Sequence, residues 1–294
     1  MEWETIWRIL VFGLTIGCIY ALIAVGLNLL WGTMRVLNIA HGQIIMLGGY
    51  TAFWLFTLYH ISTFLSAVLA AVGGAALGLL IYRIIFSASL RTIKSPEAVE
   101  VFSLLIFFGV LILLENAACL VWTADLRGYV YLTQNVEIWG TPLALNRLFA
   151  SLAAIAICLG FYIYLQRTLF GKVVRAVVQD KDAAQLVGVD VNKVYRFCFC
   201  IGFAMAGLAG ALLSMLYAIT PFIGLPYTMM ALVVIVLGGI GNILGSLIGG
   251  LLLGLIITAG VAMTSPAFSL LILYGVFVLV ILFMPAGILG RRLR

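Results

Sequence analysis

The sequence predicts an all-α, polytopic membrane bundle, and three observations carry that prediction. The 294-residue chain is 65% hydrophobic and 9% charged, with a mean hydropathy of +1.25. A soluble domain carries roughly 25% charged residues. The few charges are widely spaced: none falls between Arg8 and Arg35, between Arg35 and Arg83, or from 197 to 290. Each of these gaps exceeds the about 20 apolar residues that a helix needs to cross roughly 30 Å of hydrocarbon. Residues 1–294 are therefore expected to form one membrane domain.

Nine hydrophobic segments follow in order, near 9–31, 42–60, 63–85, 101–122, 147–165, 197–218, 226–240, 246–264 and 267–285. The first follows Glu2 and Glu4 and has neither a basic leader nor a small-residue cleavage pattern. It is expected to stay as a span. The second and third divide the stretch between Arg35 and Arg83 near His60, which looks interfacial. After the fourth comes a polar stretch, 123–146, with Asp125, Arg127, Glu137, Tyr129, Tyr131 and Trp139. Its aromatic residues suit a membrane interface, and the stretch either caps the bundle or docks an extracytoplasmic protein. Arg147 and Arg167 bracket the fifth segment. The last four share the uncharged stretch; the seventh is short and bounded by glycine, which makes it a candidate partial span.

Basic residues set the orientation. With the amino terminus outside, 13 of the 16 Lys and Arg residues fall on the inner side: Arg35, Arg83, Arg91, Lys94, six within 166–196, and Arg291, Arg292 and Arg294. Only Arg8, Arg127 and Arg147 stay outside. The net charge of +6 thus reports topology, and no nucleic-acid partner is expected. The carboxyl terminus lies inside with residues 166–196, which gather nine charges into one cytoplasmic island.

Small residues recur at four-residue spacing at Gly202, Ala206 and Gly210, and at Gly241, Gly245 and Gly249, with Gly250 and Gly254 on an adjacent face. In lipid such ridges let helix backbones approach, either inside one bundle or against a second membrane subunit. Two polar, glycine-containing breaks interrupt the apolar runs, at 31–43 and 237–245. Broken helices in transporters often end beside the substrate path. That makes Asn38, His41, Gly42, Gly239, Gly241 and Asn242 candidate path or gate residues. Glu115, the only intramembrane carboxylate, and the adjacent Asn116 are either structural polar contacts or part of that path.

Several chemistries are not supported. No GxxxxGK[ST] occurs, so the chain has no phosphate loop of its own. One glutamate and two histidines make a poor relay for ion coupling. No activated serine has a positioned histidine, and no catalytic residue is assigned. Five cysteines without a CxxC read as apolar packing, so no metal is expected. An ion-coupled transporter and a membrane-embedded enzyme are the rival readings, and the driving force is expected to come from a partner protein.

Four motifs in order sharpen this: 26–42 (Gly-Leu-Asn-Leu-Leu-Trp-Gly-Thr-Met-Arg-Val-Leu-Asn-Ile-Ala-His-Gly) followed by Gly48-Gly49-Tyr50; 175–188 (Arg-Ala-Val-Val-Gln-Asp-Lys-Asp-Ala-Ala-Gln-Leu-Val-Gly); 236–245 (Val-Leu-Gly-Gly-Ile-Gly-Asn-Ile-Leu-Gly); and 282–288 (Leu-Phe-Met-Pro-Ala-Gly-Ile). On these the chain resembles the LivH-type permeases, membrane subunits of branched-chain amino acid ABC importers. The resemblance implies a LivM-like second permease, two cytoplasmic ABC ATPases that bind ATP and Mg, a periplasmic solute-binding protein, and the bacterial inner membrane. The chain itself would carry no cofactor. The resemblance also implies a coupling segment: Asp182, Ala183, Ala184 and then Gly188 match the EAA-x₃-G spacing of ABC importers, with aspartate for glutamate and no Ile-x-Leu-Pro after it. Arg175 and Asp182 would supply polar contacts at the ATPase rim. Leucine, isoleucine and valine are the implied solutes, with urea, amides or other small organic molecules as alternatives within the family.

Overall fold

The computed structural model describes residues 3–86, 95–138, 140–284 and 287–289. Glu2, Arg91, Lys94, Trp139, Pro285, Ala286, Arg291, Arg292 and Arg294, which entered the sequence argument, lie outside the described residues.

All nine hydrophobic segments are helices: α1 (Trp3–Met34), α2 (His41–Tyr59), α3 (Thr63–Ile81), α4 (Pro96–Trp122), α5 (Leu145–Arg167), α8 (Val191–Ser214), α9 (Gly224–Gly238), α10 (Ile243–Met263) and α11 (Pro266–Phe283). The charged island forms two short helices, α6 (Leu169–Gln179) and α7 (Lys181–Leu186). Among the described residues, seven helices are long and apolar enough to cross a membrane. The non-helical exception is an antiparallel hairpin, β1 (Asn135–Ile138) with β2 (Thr141–Ala144), inside the polar stretch.

The chain packs as two inverted runs. α1 and α8 are antiparallel: Thr33 lies by Cys198, Leu30 by Gly202, and Gly26 by Gly202 and Met205. Each run then folds its third helix along the first helix of the other. Gly74 and Gly78 of α3 press on Phe203 and Phe199 of α8, while Gly250 and Gly254 of α10 press on Ala21 and on Gly13 and Gly17 of α1. The glycines that formed sequence ridges therefore serve packing within this chain. Gly245 and Gly249 meet α9 in the same way, and Gly241 meets Gly32 of α1.

The second helix of each run starts deep in the bundle. α1 ends at exposed Arg35, whose φ is 54°, and the chain turns back. His41 reaches the carbonyl of Ile23, eleven residues before Met34 on α1, or about 16 Å at 1.5 Å per residue. Residues 36–40 carry the chain back, the last two in a turn closed by the His41 N–H on the Asn38 carbonyl at 3.3 Å. The second run mirrors this from the opposite end. After α8, residues 215–223 are tied to the polar stretch 123–146 by the paired backbones of Arg127 and Ile219 (2.9 and 2.7 Å). Asn146 donates to the Met215 carbonyl at 2.9 Å. The chain then turns inward, and α9 starts at Gly224 against Gln43. The short seventh segment is thus the 15-residue helix α9, led in by the turn Pro221–Ile223.

The polar stretch caps one end of the bundle. Trp122 stacks on Tyr50 at 4.3 Å, Arg127 sits 5.2 Å over Trp54, and Tyr129 shares a 2.9 Å hydrogen bond with Ser214. The opposite end carries Arg35, Arg83 and the basic residues of α6 to α8. Tyr82, which opens the π-helical turn Tyr82–Phe86, hydrogen-bonds Asn192 there at 3.4 Å.

Candidate site at the paired helix starts

Two sequence-predicted groups resolve differently. Asn38, His41, Gly42 and Glu115 converge where α2 and α9 begin, together with Gln43 and Thr228. The Gly42 N–H donates to Thr228 Oγ1 at 2.8 Å, and that hydroxyl lies 3.0 Å from the Ile39 carbonyl. Gly42 and Gly224 are so close that a Cβ on Gly42 would overlap the Gly224 carbonyl. Gln43 Nε2 donates to Glu115 Oε2 at 3.0 Å, which fastens α4 to the start of α2. Asn116 turns to the exposed side of α4 and donates to the Ile112 carbonyl at 2.8 Å.

The junction is rich in unmet hydrogen-bonding capacity. Asn38, His41 and Gln43 are 0–1% exposed. Both side-chain polar atoms of Asn38, His41 Nδ1 and Gln43 Oε1 are buried without a partner. His41 Nε2 sits 3.1 Å from the Ile23 carbonyl. A carbonyl only accepts, so the ring proton is on Nε2 and Nδ1 presents a bare acceptor. α6, α7, α8 and α10 are capped by their own flanking residues Thr168, Asp180, Asp190 and Asn242. At the start of α2, by contrast, the Gly42 N–H is met across the junction by Thr228, and the His41 and Gln43 N–H groups by the Asn38 (3.3 Å) and Ala40 (3.0 Å) carbonyls. α9 runs on from the tight turn Pro221–Ile223. Helix starts carry partial positive charge. Unpaired buried polar groups cost about 1–3 kcal/mol each, so the four atoms leave this junction with hydrogen-bonding capacity to spare.

Gly239, Gly241 and Asn242 do not join this junction. They form the tight turn between α9 and α10, near the end of α1. Gly239 and Gly241 take φ of 106° and 77°, a region that suits glycine. Asn28 of α1 clamps the turn: its Nδ2 lies 2.6 Å from Ser246 Oγ and 3.0 Å from the Asn242 carbonyl, and its Oδ1 accepts from the Gly241 N–H at 2.7 Å. Asn242 Nδ2 also donates to the Leu289 carbonyl at 2.9 Å. Asn28→Ala should lower stability by about 2–3 kcal/mol by stranding these groups. The melting temperature of the detergent-purified chain reads this directly, and an unchanged value removes the clamp.

The charged island has its own geometry. Asp180 caps α7, accepting from the N–H groups of Asp182 (2.9 Å) and Ala183 (3.0 Å). α7 ends on Gly188, at φ 88°, with the Gly188 N–H bonded to the Gln185 carbonyl and the Val189 N–H to the Ala184 carbonyl. This double bond pattern needs a left-handed residue, which glycine supplies. Ala184 is buried in the chain's own core, whereas Asp182 and Ala183 face outward beside Leu186 and Val187, which are 89% and 81% exposed. Arg175 folds back onto the Leu165 carbonyl. The Lys193 N–H (3.1 Å) and ammonium (3.4 Å) hold the Asp190 carboxyl below its usual range. Its capping contribution is therefore complete above the ordinary carboxylate pKa and fades as pH falls through the lowered value.

Sequence reasoning did not single out Asn28 or Thr228 and quoted Gln43 only within a motif. The available signal was a lone polar residue in an apolar span, which lipid tolerates only with a partner.

The chain matches the family described as "Branched-chain amino acid transport system / permease component" over residues 9–281. It is 30% identical to the high-affinity branched-chain amino acid transport system permease protein BraD of Pseudomonas aeruginosa, across 96% of this chain and 95% of that protein. It is 31% identical to the LivH permease of Escherichia coli, across 95% and 94%. Similarity extends to a probable LivH of Methanocaldococcus jannaschii, 30% identical across 80% of this chain and 74% of that one. No solved structure matches the chain.

Proposed function

The chain belongs to the family of permease components of branched-chain amino acid transport systems, and from that premise we propose how its parts divide the work. It is a multi-pass, non-catalytic permease subunit that carries branched-chain amino acids inward through the inner membrane. It works with a LivM-like second permease, two cytoplasmic ATPases that bind ATP and Mg, and a periplasmic binding protein. The skew of basic residues supports an outside amino terminus and a cytoplasmic α6–α7 island.

The observation that carries the solute path is the set of buried, unpartnered polar atoms of Asn38, His41 and Gln43 between the starts of α2 and α9. An amino acid offers what they lack. Its carboxylate suits the Asn38 amide N–H beside the positive ends of the two helices. Its ammonium suits Glu115, Gln43 Oε1 and His41 Nδ1. The Gln43–Glu115 bond then opens to admit the solute and closes without it. Coupling runs through Asp182, Ala183 and the outward face of α7, with Gly188 fixing its end. ATP-driven movement of the ATPases changes which side of the junction is open, because bound and free ATPase favour different arrangements of the two runs.

The test is leucine uptake into proteoliposomes by the assembled transporter. Glu115→Gln removes a charge-assisted bond of about 1.5–3 kcal/mol, so uptake should fall about 10–100-fold with ATPase association intact. Unchanged uptake in Glu115→Gln and in Asn38→Ala would remove this junction from the path. The neutral amides of Asn38 and Gln43 also suit urea or an amide solute, and a panel of competitors in the same assay separates that reading.

A further inference from the structure

A groove of about 370 Å³ runs along the outside of the bundle, away from the helix-start junction, and is lined by Ala71 of α3, Gly160 and Tyr164 of α5, and Ile201, Ala204 and Leu208 of α8. α8 forms its floor, and α3 and α5 form its walls. At the outer end the walls meet, where Phe64 packs edge-on against Phe149 at 5.9 Å and against Tyr131 at 6.2 Å. The other end leads to cations. On α8 the residues Arg196, Cys200, Ala204 and Leu208 follow at four-residue steps, so Arg196 continues the face that floors the groove. Arg167 lies one turn beyond Tyr164 on α5, and Arg83 follows the end of α3. Arg83 and Arg196 are both close enough to act electrostatically on Cys200. Asp190, the acidic residue that opens α8, lies 3.4 Å from Lys193 and also acts electrostatically on Arg196.

We propose that this groove binds an anionic phospholipid, with an acyl chain between α3 and α5 and the headgroup phosphate against Arg83, Arg167 and Arg196. The chemistry selects the occupant: the groove is lined by apolar and small side chains along Ile201 to Leu208, about 10 Å of helix, and its inner end is cationic, the pattern of an acyl chain joined to an anionic headgroup. The closed outer end and the cationic inner end fix one direction of entry. Guanidinium groups recognise phosphate bidentately, and basic pockets between spans on the cytoplasmic side suit anionic headgroups. A free phosphate ion would use the rim but leave the groove unfilled.

The test uses the assembled transporter in phosphatidylcholine nanodiscs with spin-labelled phosphatidylglycerol or phosphatidylcholine as the probe. The immobilised fraction should favour phosphatidylglycerol. Each Arg→Gln change at 83, 167 or 196 should lower that preference about fivefold and leave phosphatidylcholine unaffected. Gly160→Leu should displace both probes, because a Cβ at Gly160 meets nothing within 4 Å and the added side chain fills the groove without forcing the backbone. Inorganic phosphate should not compete at millimolar levels; full competition would make this a site for the free anion and overturn the lipid assignment. Equal immobilisation of the two probes would also overturn it. So would cross-linking of a Gly160→Cys variant to the second permease, since the groove would then be a protein interface.

Discussion

Replacing Gly42 with alanine should strongly destabilise this bundle, lowering the yield of folded protein and its melting temperature. The Gly42 Cβ position coincides with the Gly224 carbonyl and lies 2.6 Å from Thr228 Oγ1. The first obstacle is backbone, so no rotamer change relieves it. α2 and α9 must separate, which breaks the Gly42 N–H bond to Thr228 and opens the packing of both inverted runs. Overpacking typically costs 1–3 kcal/mol and more when backbone must move. That is a large share of the roughly 5–15 kcal/mol holding a folded chain together. Gly160→Ala is the matched control, with open space at its Cβ. The measurement is the yield of monodisperse protein and its melting temperature in detergent. If Gly42→Ala melts with the parent chain, the two helix starts are not the rigid junction described above.

The second large effect concerns the outward face of α7. Leu186→Asp with Val187→Asp should release the ATPases and abolish ATP-driven uptake, while the permease stays folded. Both side chains are more than four-fifths exposed, at the point where Gly188 ends the helix. Interface anchors of this kind contribute about 2 kcal/mol each, so losing two lowers ATPase affinity about 1,000-fold. Ala183→Trp should act in the same way through steric block. Ala184→Trp should instead lower the melting temperature of the isolated permease, because Ala184 is 4% exposed within the chain's own core. Co-purification and melting, measured side by side, separate the two alanines. ATPase retention by the double aspartate variant would remove α7 from the interface.

The number and order of the helices were readable in the sequence because lipid leaves apolar segments little choice but helix. The starts of α2, α3, α9, α10 and α11 along the chain were readable to within about three residues, but which of them lie deep in the bundle was not. The break after Arg35 carries Asn, His and two glycines nearby, so it announced itself. Its structural counterpart, residues 215–223, reads Met-Leu-Tyr-Ala-Ile-Thr-Pro-Phe-Ile and looks like the end of one span running into the next. The glycine-rich run 237–245, which resembles a discontinuity, is a turn held by Asn28. Composition could not separate these cases, because what distinguishes them is which backbone lies opposite. The opposed directions of Ala183 and Ala184 were accessible in principle, since neighbours on a helix point about 100° apart, but the core against which α7 packs was not. The hairpin between β1 and β2 was also unforeseen, in a stretch too short and polar to show strand alternation.

The two opposed helix starts have an electrical consequence. Each helix start behaves as roughly half a positive charge, and the Glu115 side chain, bonded to Gln43 at 3.0 Å, brings a carboxyl group to the same junction. On the proposed path the two signs sit side by side. A solute of no net charge would be matched at both its ends, whereas a lone cation or a lone anion would meet one attractive and one repulsive neighbour. Discrimination by balance of charge then needs no fixed basic side chain in the path.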